Sequence, residues 1–308
     1  MFYWHPKHPE TQFFFNDRDP ETGYVFTVLY DIEEKRRLRE YRFDDVPAAN
    51  GGVSPKGDYF LAINYGRMAR LRPVTGYPDA ADPTADTPAP ENDGIFRVDI
   101  ETGERELLVS FRLLRDLLRD RHDNIDEVGF YINHSLSNRT GEFVYFYARG
   151  RYDDEPMAVN APCSIHTDGT ELKTHTFIGG HPEWDEGTVV IGAKDDSQVR
   201  YDIVQGRIVG QIATPEIIPS PGGDIALSPN ADWFVCGYST KTDNRYAIFR
   251  RSNGSYAHSP EFSRGPHHRG ELRIDPAPRW NRDNNALLVP GMTADGTRQL
   301  HLIEIAEP

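Results

Sequence analysis

Two histidines stand at corresponding places in a repeated sequence pattern, and imidazole is the side chain whose ordinary pKa lets it move protons near neutrality. His134 follows Asn133 in Ile132-Asn133-His134-Ser135, and His181 lies in Gly179-Gly180-His181-Pro182-Glu183-Trp184. Each reads either as a proton-transfer group or as a structural residue capping a turn. A run of guanidinium groups, Arg67, Arg70 and Arg72, leads to Tyr77. The planar fork of arginine matches a carboxylate through parallel hydrogen bonds. The run therefore reads as a carboxylate clamp, Arg70 and Arg72 foremost, or as a solvated loop pairing with nearby acids. Arg279 in Pro-Arg-Trp and Arg298 in Thr-Arg-Gln add two further cations at turns or strand starts. His5 and His8, with Gln12, have metal-ligand residue types, but prolines break the segment and leave its geometry open. Asn16, Asp17 and Arg18 read as a turn network, and His267, His268 and Arg269 as an exposed loop.

What positions these residues is a repeat, and repeats decide a fold before local detail does. A Ser-Pro or Asn-Arg turn, a small polar residue and an alternating apolar strand recur at 53–63, 136–146, 227–236 and 279–289. A shortened copy occupies 181–191. Each copy is followed by a second hairpin of the form strand, Asp-x-x-x-Gly, strand, as in 96–108 and 199–209. Two hairpins make a four-stranded blade, and such blades compose a β-propeller. The expected fold is therefore all-β, a single propeller domain over 1–308, with seven blades as the first expectation and six as the alternative. The seventh blade would draw on a strand near 11–15 and on residues of the long gap between 63 and 136. That gap holds a Pro/Ala/Asp-rich loop at 77–93 and the one convincing helix, 110–121. Ser110 suits its N-cap, and Leu113, Leu114, Leu117 and Leu118 its apolar stripe. Equivalent positions in successive blades would bring His134 and His181 to one face.

The 308 residues carry 48 acidic against 34 basic side chains, a formal net charge of −14. That balance argues against a generic nucleic-acid binder or anionic-membrane binder, which needs a basic footprint. An acidic ligand in a local arginine pocket remains compatible with it. No apolar run approaches the roughly 20 residues of a membrane span. The first residues lack the pattern of a signal peptide, so the cytoplasm is the default expectation, with secretion or the periplasm the alternative for a trimmed chain. Cys163 and Cys236 read as separate buried thiols rather than a disulfide framework.

Five segments, 15–19, 64–77, 93–103, 132–138 and 278–283, carry a resemblance. They look like a bacterial family of propellers found near polysaccharide-degrading enzymes, itself similar to the oligogalacturonate and ulvan lyases. The resemblance implies β-elimination at a 1,4-linked uronic acid, with an acidic oligosaccharide or polysaccharide as ligand. In that scheme a cation neutralises the C6 carboxylate, a base takes the C5 proton and an acid serves the leaving O4. It assigns His134 as base, His181 as its partner in proton transfer and Tyr77 as an assisting group. Arg70, Arg72 or Arg279 would bind the carboxylate, with Asn133 and Arg298 as further substrate contacts. The chain also departs from the pattern. Asp224 stands where the resemblance implies a histidine, and Ile274 and Ala277 where it implies cysteine and histidine. A His/Cys zinc site thus reads as absent, leaving Asp224 and Asp275 as carboxylates suited to a harder divalent cation. Ala148 and Arg149 replace a second implied histidine. A non-catalytic glycan- or protein-binding propeller, and a glycoside hydrolase using paired carboxylates, are the alternative readings.

Overall fold

The computed structural model describes residues 2–152, 157–270 and 272–306. The fold is all-β, of the propeller kind, with two short α-helices. The chain divides into two compact units, Met1–His175 and Thr176–Pro308.

The first unit contains three antiparallel four-stranded sheets, each with its strands in chain order. The first sheet comprises Phe2–Trp4, Gln12–Arg18, Val25–Asp31 and Arg36–Tyr41. The second comprises Ala49–Val53, Tyr59–Ile63, Gly94–Asp99 and Arg105–Ser110, and the third Gly129–Ser137, Phe143–Arg151, Met157–His166 and Lys173–Thr174. In the second unit, Gly179–Trp184, Val189–Lys194, Ser197–Asp202 and Arg207–Gln211 form one such set. Asp224–Leu227, Trp233–Ser239, Asp243–Arg250 and Tyr256–His258 form the next, and a parallel pairing of His181 with Asp224 joins the two sets edge to edge. A three-stranded sheet of Arg279–Trp280, Ala286–Met292 and Arg298–Glu304 completes the unit.

The described residues thus supply six blade-like sets. The strand expected to help close a seventh, Gln12–Arg18, is the second strand of the first sheet. Asn16, Asp17 and Arg18 belong to that strand rather than to a turn. Period-two alternation explains why the central strands form and where they pack. In Phe143–Arg151, Val144, Phe146 and Ala148 enter a core with Phe130, Ile132, Val159 and Cys163, while Tyr145 and Tyr147 are buried on the opposite face. Both cysteines are buried free thiols.

The long gap holds two helices where the sequence suggests one. Helix α1, Tyr65–Leu71, starts at Asn64, whose side chain accepts the Arg67 amide at 3.0 Å. Gly66 is needed there: a Cβ would lie 2.0 Å from the Ala81 carbonyl oxygen, where the 77–93 loop crosses the helix. Arg67 and Arg70 are therefore helical and Arg72 is the C-cap, not members of a loop. Helix α2, Phe111–Leu118, is capped by Ser110, whose hydroxyl accepts the Leu113 amide at 3.1 Å, and its last turn tightens to a 3₁₀ helix over Arg119–Arg121. Its buried stripe is Phe111, Leu114 and Leu118, whereas Leu113 and Leu117 face solvent.

Arg67 locks this region together. Its side chain is buried and donates to the carbonyls of Phe130, Thr84, Thr87 and Pro88 and to the Thr84 hydroxyl. Beside it, the buried Asp93 carboxylate accepts from Asn64 Nδ2 at 2.9 Å, Thr84 Oγ1 at 3.0 Å and the Gly94 amide at 2.7 Å. Burial pushes the Asp93 carboxyl up and pulls the Arg67 guanidinium down to about 10, while each charge favours the other.

Replacing Arg67 by Ala leaves a buried carboxylate without its counter-charge and several carbonyls without donors. A loss of about 3–5 kcal/mol is expected, read as a lower denaturant midpoint.

His175 is buried against Ser164 at 2.7 Å and stacked on Tyr145, and burial lowers its pKa to about 4; His5, buried beside His8, is lowered to about 4 as well. Between the ordinary histidine value and about 4 the unfolded chain binds protons that the folded chain refuses. Stability is thus full above about 6.5, falls as pH drops through that window, and loses up to about 3 kcal/mol per histidine. His175→Gln should remove its share of the loss in melting curves taken across the window.

Candidate functional site

His134 sits at a β-bulge. Tyr147 pairs with Asn133 and Tyr145 with Leu136, so His134 and Ser135 together oppose Phe146 alone. The backbone of His134 is left-handed, with φ 56°, a conformation that costs a non-glycine residue about 1–2 kcal/mol. Bulges of this kind re-aim side chains and gather near functional sites. The imidazole is half-buried and meets the Tyr147 ring edge-on at 5.9 Å. The corresponding first strands are irregular too: Ala49–Val53 slips between Asn50 and Gly52, and Gly179–Trp184 between Gly179 and Glu183, with His181 in the slipped stretch.

Arg149 also lies against Tyr147, its guanidinium 5.1 Å from the ring centroid and its Nε donating to Asn160 Oδ1 at 3.0 Å. Burial and the neighbouring charge of Arg72 hold the Arg149 pKa down. The two cations are brought together by the end of helix α1, because Arg151 Nη1 donates to the Leu71 carbonyl at 2.9 Å, directly before Arg72. Arg72 Nη1 is buried with no hydrogen-bond partner. A buried guanidinium nitrogen without an acceptor, facing a like charge, is a costly arrangement that an anion would relieve. The sequence offers Arg72 as a candidate carboxylate contact, and Arg149 only as a departure from a pattern. The period-two spacing that puts Arg149 on the face of Tyr145 and Tyr147 was the available signal.

Other residues of the first unit are placed differently. Arg70 pairs with Asp82 at 3.1 Å, whose side chain is 4% exposed, so its charge is already engaged. Tyr77 packs edge-on against Tyr65 at 5.2 Å and hydrogen bonds with Asn16; burial raises its pKa, so it stays protonated. Asn16 also binds the backbone of Asn50 through both its amide groups. Asn133 lies in the bulged strand, paired with Tyr147. His5 Nδ1 accepts the Lys7 amide.

In the second unit, His181 Nδ1 lies 2.8 Å from Asp224 Oδ1. This pairing was not expected from the sequence, which offered His181 and Asp224 separately. Arg279 is exposed and donates to the Pro278 carbonyl, and Arg298 lines a 250 Å³ cleft with Ile274, Pro290 and Leu300. Asp275 is taken by Arg273 at 2.8 Å. A His/Cys zinc site does not fit these residues: Ile274 is a buried apolar side chain, and Asp224 is engaged by His181. Among the described residues, no group of three His, Cys, Asp or Glu side chains is placed to hold a metal ion, and no helix is long and apolar enough to cross a membrane.

No family model and no curated protein matches the sequence. Solved structures do resemble it. TolB from Acinetobacter baumannii is 12% identical with a TM-score of 0.54, over 96% of this chain and 61% of TolB. Hydrazine synthase from Kuenenia stuttgartiensis is 13% identical with a TM-score of 0.51, over 94% of this chain and 72% of that one. The chain thus spans less than two thirds of the TolB chain. At these identities the likeness is one of fold, a β-propeller, and carries no reaction with it.

The Arg72–Arg149 pair has a measurable signature. Arg72→Leu removes a repulsive neighbour and an unsatisfied donor, so unfolding free energy should stay within about 0.5 kcal/mol of the parent or rise. Arg67→Ala, five residues earlier, should behave in the opposite way in the same denaturation assay.

Proposed function

We propose that the propeller acts on a uronic-acid-containing oligosaccharide and cleaves it by β-elimination in the first unit. The observation that carries this reading is the buried, acceptor-free Arg72 Nη1 beside the Arg149 cation. Two guanidinium groups of this kind suit a sugar carboxylate. Neutralising that carboxylate is what makes the neighbouring C5–H acidic enough to lose. His134, turned out of the regular strand at its bulge, takes the C5 proton. The freed electron pair becomes the C4=C5 double bond as the C4–O4 bond breaks, and O4 leaves with a proton. Tyr77, held protonated by burial, is the candidate donor. The resemblance of 64–77 and 132–138 to a bacterial propeller family that is itself similar to the polyuronate lyases supports the same reading.

A second reading has its own observation. Arg149 stands where the resemblance implies a histidine, which favours a propeller that binds acidic glycans without turning them over.

Acidic oligosaccharides and polysaccharides incubated with the protein, with and without chelator, should yield unsaturated uronides detectable by their ultraviolet absorbance. His134→Ala should slow their appearance about a hundredfold or more. Unchanged product formation in that variant removes His134 from the mechanism. Saturable binding with no product favours the second reading.

A further inference from the structure

The last sheet of the second unit ends on its third strand, and that edge differs from the closing edges of the other sets. In each four-stranded set the third strand pairs with a fourth, whereas among the described residues Arg298–Glu304 pairs only with Ala286–Met292. An open row of backbone N–H and C=O groups invites another chain unless short length, a bulge or charge blunts it. The other closing strands are blunted. Lys173–Thr174 and Tyr256–His258 are two and three residues long, and register slips interrupt the pairing of Arg36–Tyr41, Arg105–Ser110 and Arg207–Gln211. Arg298–Glu304 keeps an unbroken register over seven residues and contains no proline or lysine.

Parity decides which backbone groups face outward. The Thr293 amide donates to the Thr297 carbonyl at 2.9 Å and the Ile305 amide to the Asn285 carbonyl at 2.8 Å. Odd-numbered residues of the strand therefore point their backbone groups at Ala286–Met292, and even-numbered ones point theirs away. Pro290, which has no N–H to give, accordingly lies opposite Leu300. The backbone groups of Arg298, Leu300, Leu302 and Glu304 thus line the open edge. Their side chains share one face, where Leu300 is 61% and Leu302 62% exposed, with Leu288 beside Leu302 at 40%.

This row is complementary to itself. Laid antiparallel on a second copy about His301, the strand sets Arg298 against Glu304 at both ends and Leu300 against Leu302 between them. All of these residues point outward, so the backbone and side-chain registers agree. Moving the axis one residue either way sets Arg298 or Glu304 against a leucine. Both charged side chains are exposed, and among the described residues neither forms an ion pair within the chain.

We propose that Arg298–Glu304 is a dimerisation edge, on which the same strand of a second copy lies antiparallel and extends the sheet across a two-fold axis at His301. A surface complementary to itself about such an axis closes on a dimer and does not grow into a filament. The contact uses none of the residues of the acidic-glycan reading and stands or falls separately from it. A dimer would carry two copies of any glycan site, which raises avidity for a polymeric ligand.

Sedimentation velocity on the 308-residue chain should show monomer passing to dimer as concentration rises through about 1–500 µM, as befits a contact at the small end of interface sizes. Arg298→Glu and Glu304→Arg each set like charges opposite one another at both ends, and each should weaken dimerisation about tenfold or more. An equimolar mixture of these two variants should regain the parental association, because opposite charges then meet at both ends. Leu302→Pro removes an outward N–H at an edge position, where proline is tolerated, and should abolish the dimer. Circular dichroism checks the fold of each variant, and amide exchange at Leu300 and Leu302 should slow with concentration in the parent protein. A monomer at every concentration overturns the proposal, and slow exchange in that monomer would mark another segment of the chain on the edge. A dimer that survives Leu302→Pro, or a mixture of charge variants that stays monomeric, overturns it as well.

Discussion

A guanidinium taken out of water needs an acceptor for each of its N–H groups, and a fold that buries one must deliver backbone carbonyls to it from several directions. Arg67 imposes that demand on the first unit. The carbonyls come from the insertion loop at Thr84, Thr87 and Pro88 and from Phe130 in the third sheet, while Asp93 supplies the opposing charge. Helix α1 is only seven residues long, too short to persist alone. It stands because Arg67 anchors it and the Asn64 side chain caps it. The position of its last carbonyl, and so of Arg72, follows from that anchor.

This dependence explains why Arg72 keeps a buried nitrogen without an acceptor. Most others are spent on neighbours: Arg70 on Asp82, Arg105 on Asp45, Arg200 and Arg251 on Asp185. With 48 acidic residues in the chain, a cation finds a partner unless the scaffold prevents it. Arg72 is prevented by its place at the end of a rigidly tethered helix, where Arg149 is its charged neighbour. The bulge at His134 is strain of a second kind, held by the regular pairing on either side of it. Stabilising contacts thus surround two unfavourable ones, the pattern of a scaffold that holds a site ready.

The architecture was legible in the sequence because it rests on local signals. The recurrent turn and alternating strand at 53–63, 136–146 and 227–236 correspond to observed strands, and Ser110 caps a helix as its type suggests. What escaped rests on contacts distant in the chain. Helix α1 is disguised by Gly66, a residue that opposes helix but is required where the loop crosses. Leu113 and Leu117 fit an apolar stripe, yet the tertiary contact selects Leu114 and Leu118 instead. The extra strand expected near 11–15 was real but already belonged to the first sheet. In the candidate site, His134 and Arg72 were visible as residue types at suggestive places. Arg149 is legible only as the next position on the face of Tyr145 and Tyr147, while its nearness to Arg72 and the partnership of His181 with Asp224 each need two elements to be placed before the side chains meet.

The parallel pairing of His181 with Asp224 has a mechanical consequence. Through it, eight strands of the second unit run as one unbroken hydrogen-bonded ribbon instead of two stacked sheets. Side-chain packing lets neighbouring sheets slide by small steps, whereas even the one backbone pair at His181 and Asp224 pins the two edge strands in register. The two strand sets should therefore fluctuate and open together as a single cooperative segment. A ligand that grips one set would then stiffen the other, although it touches none of its residues.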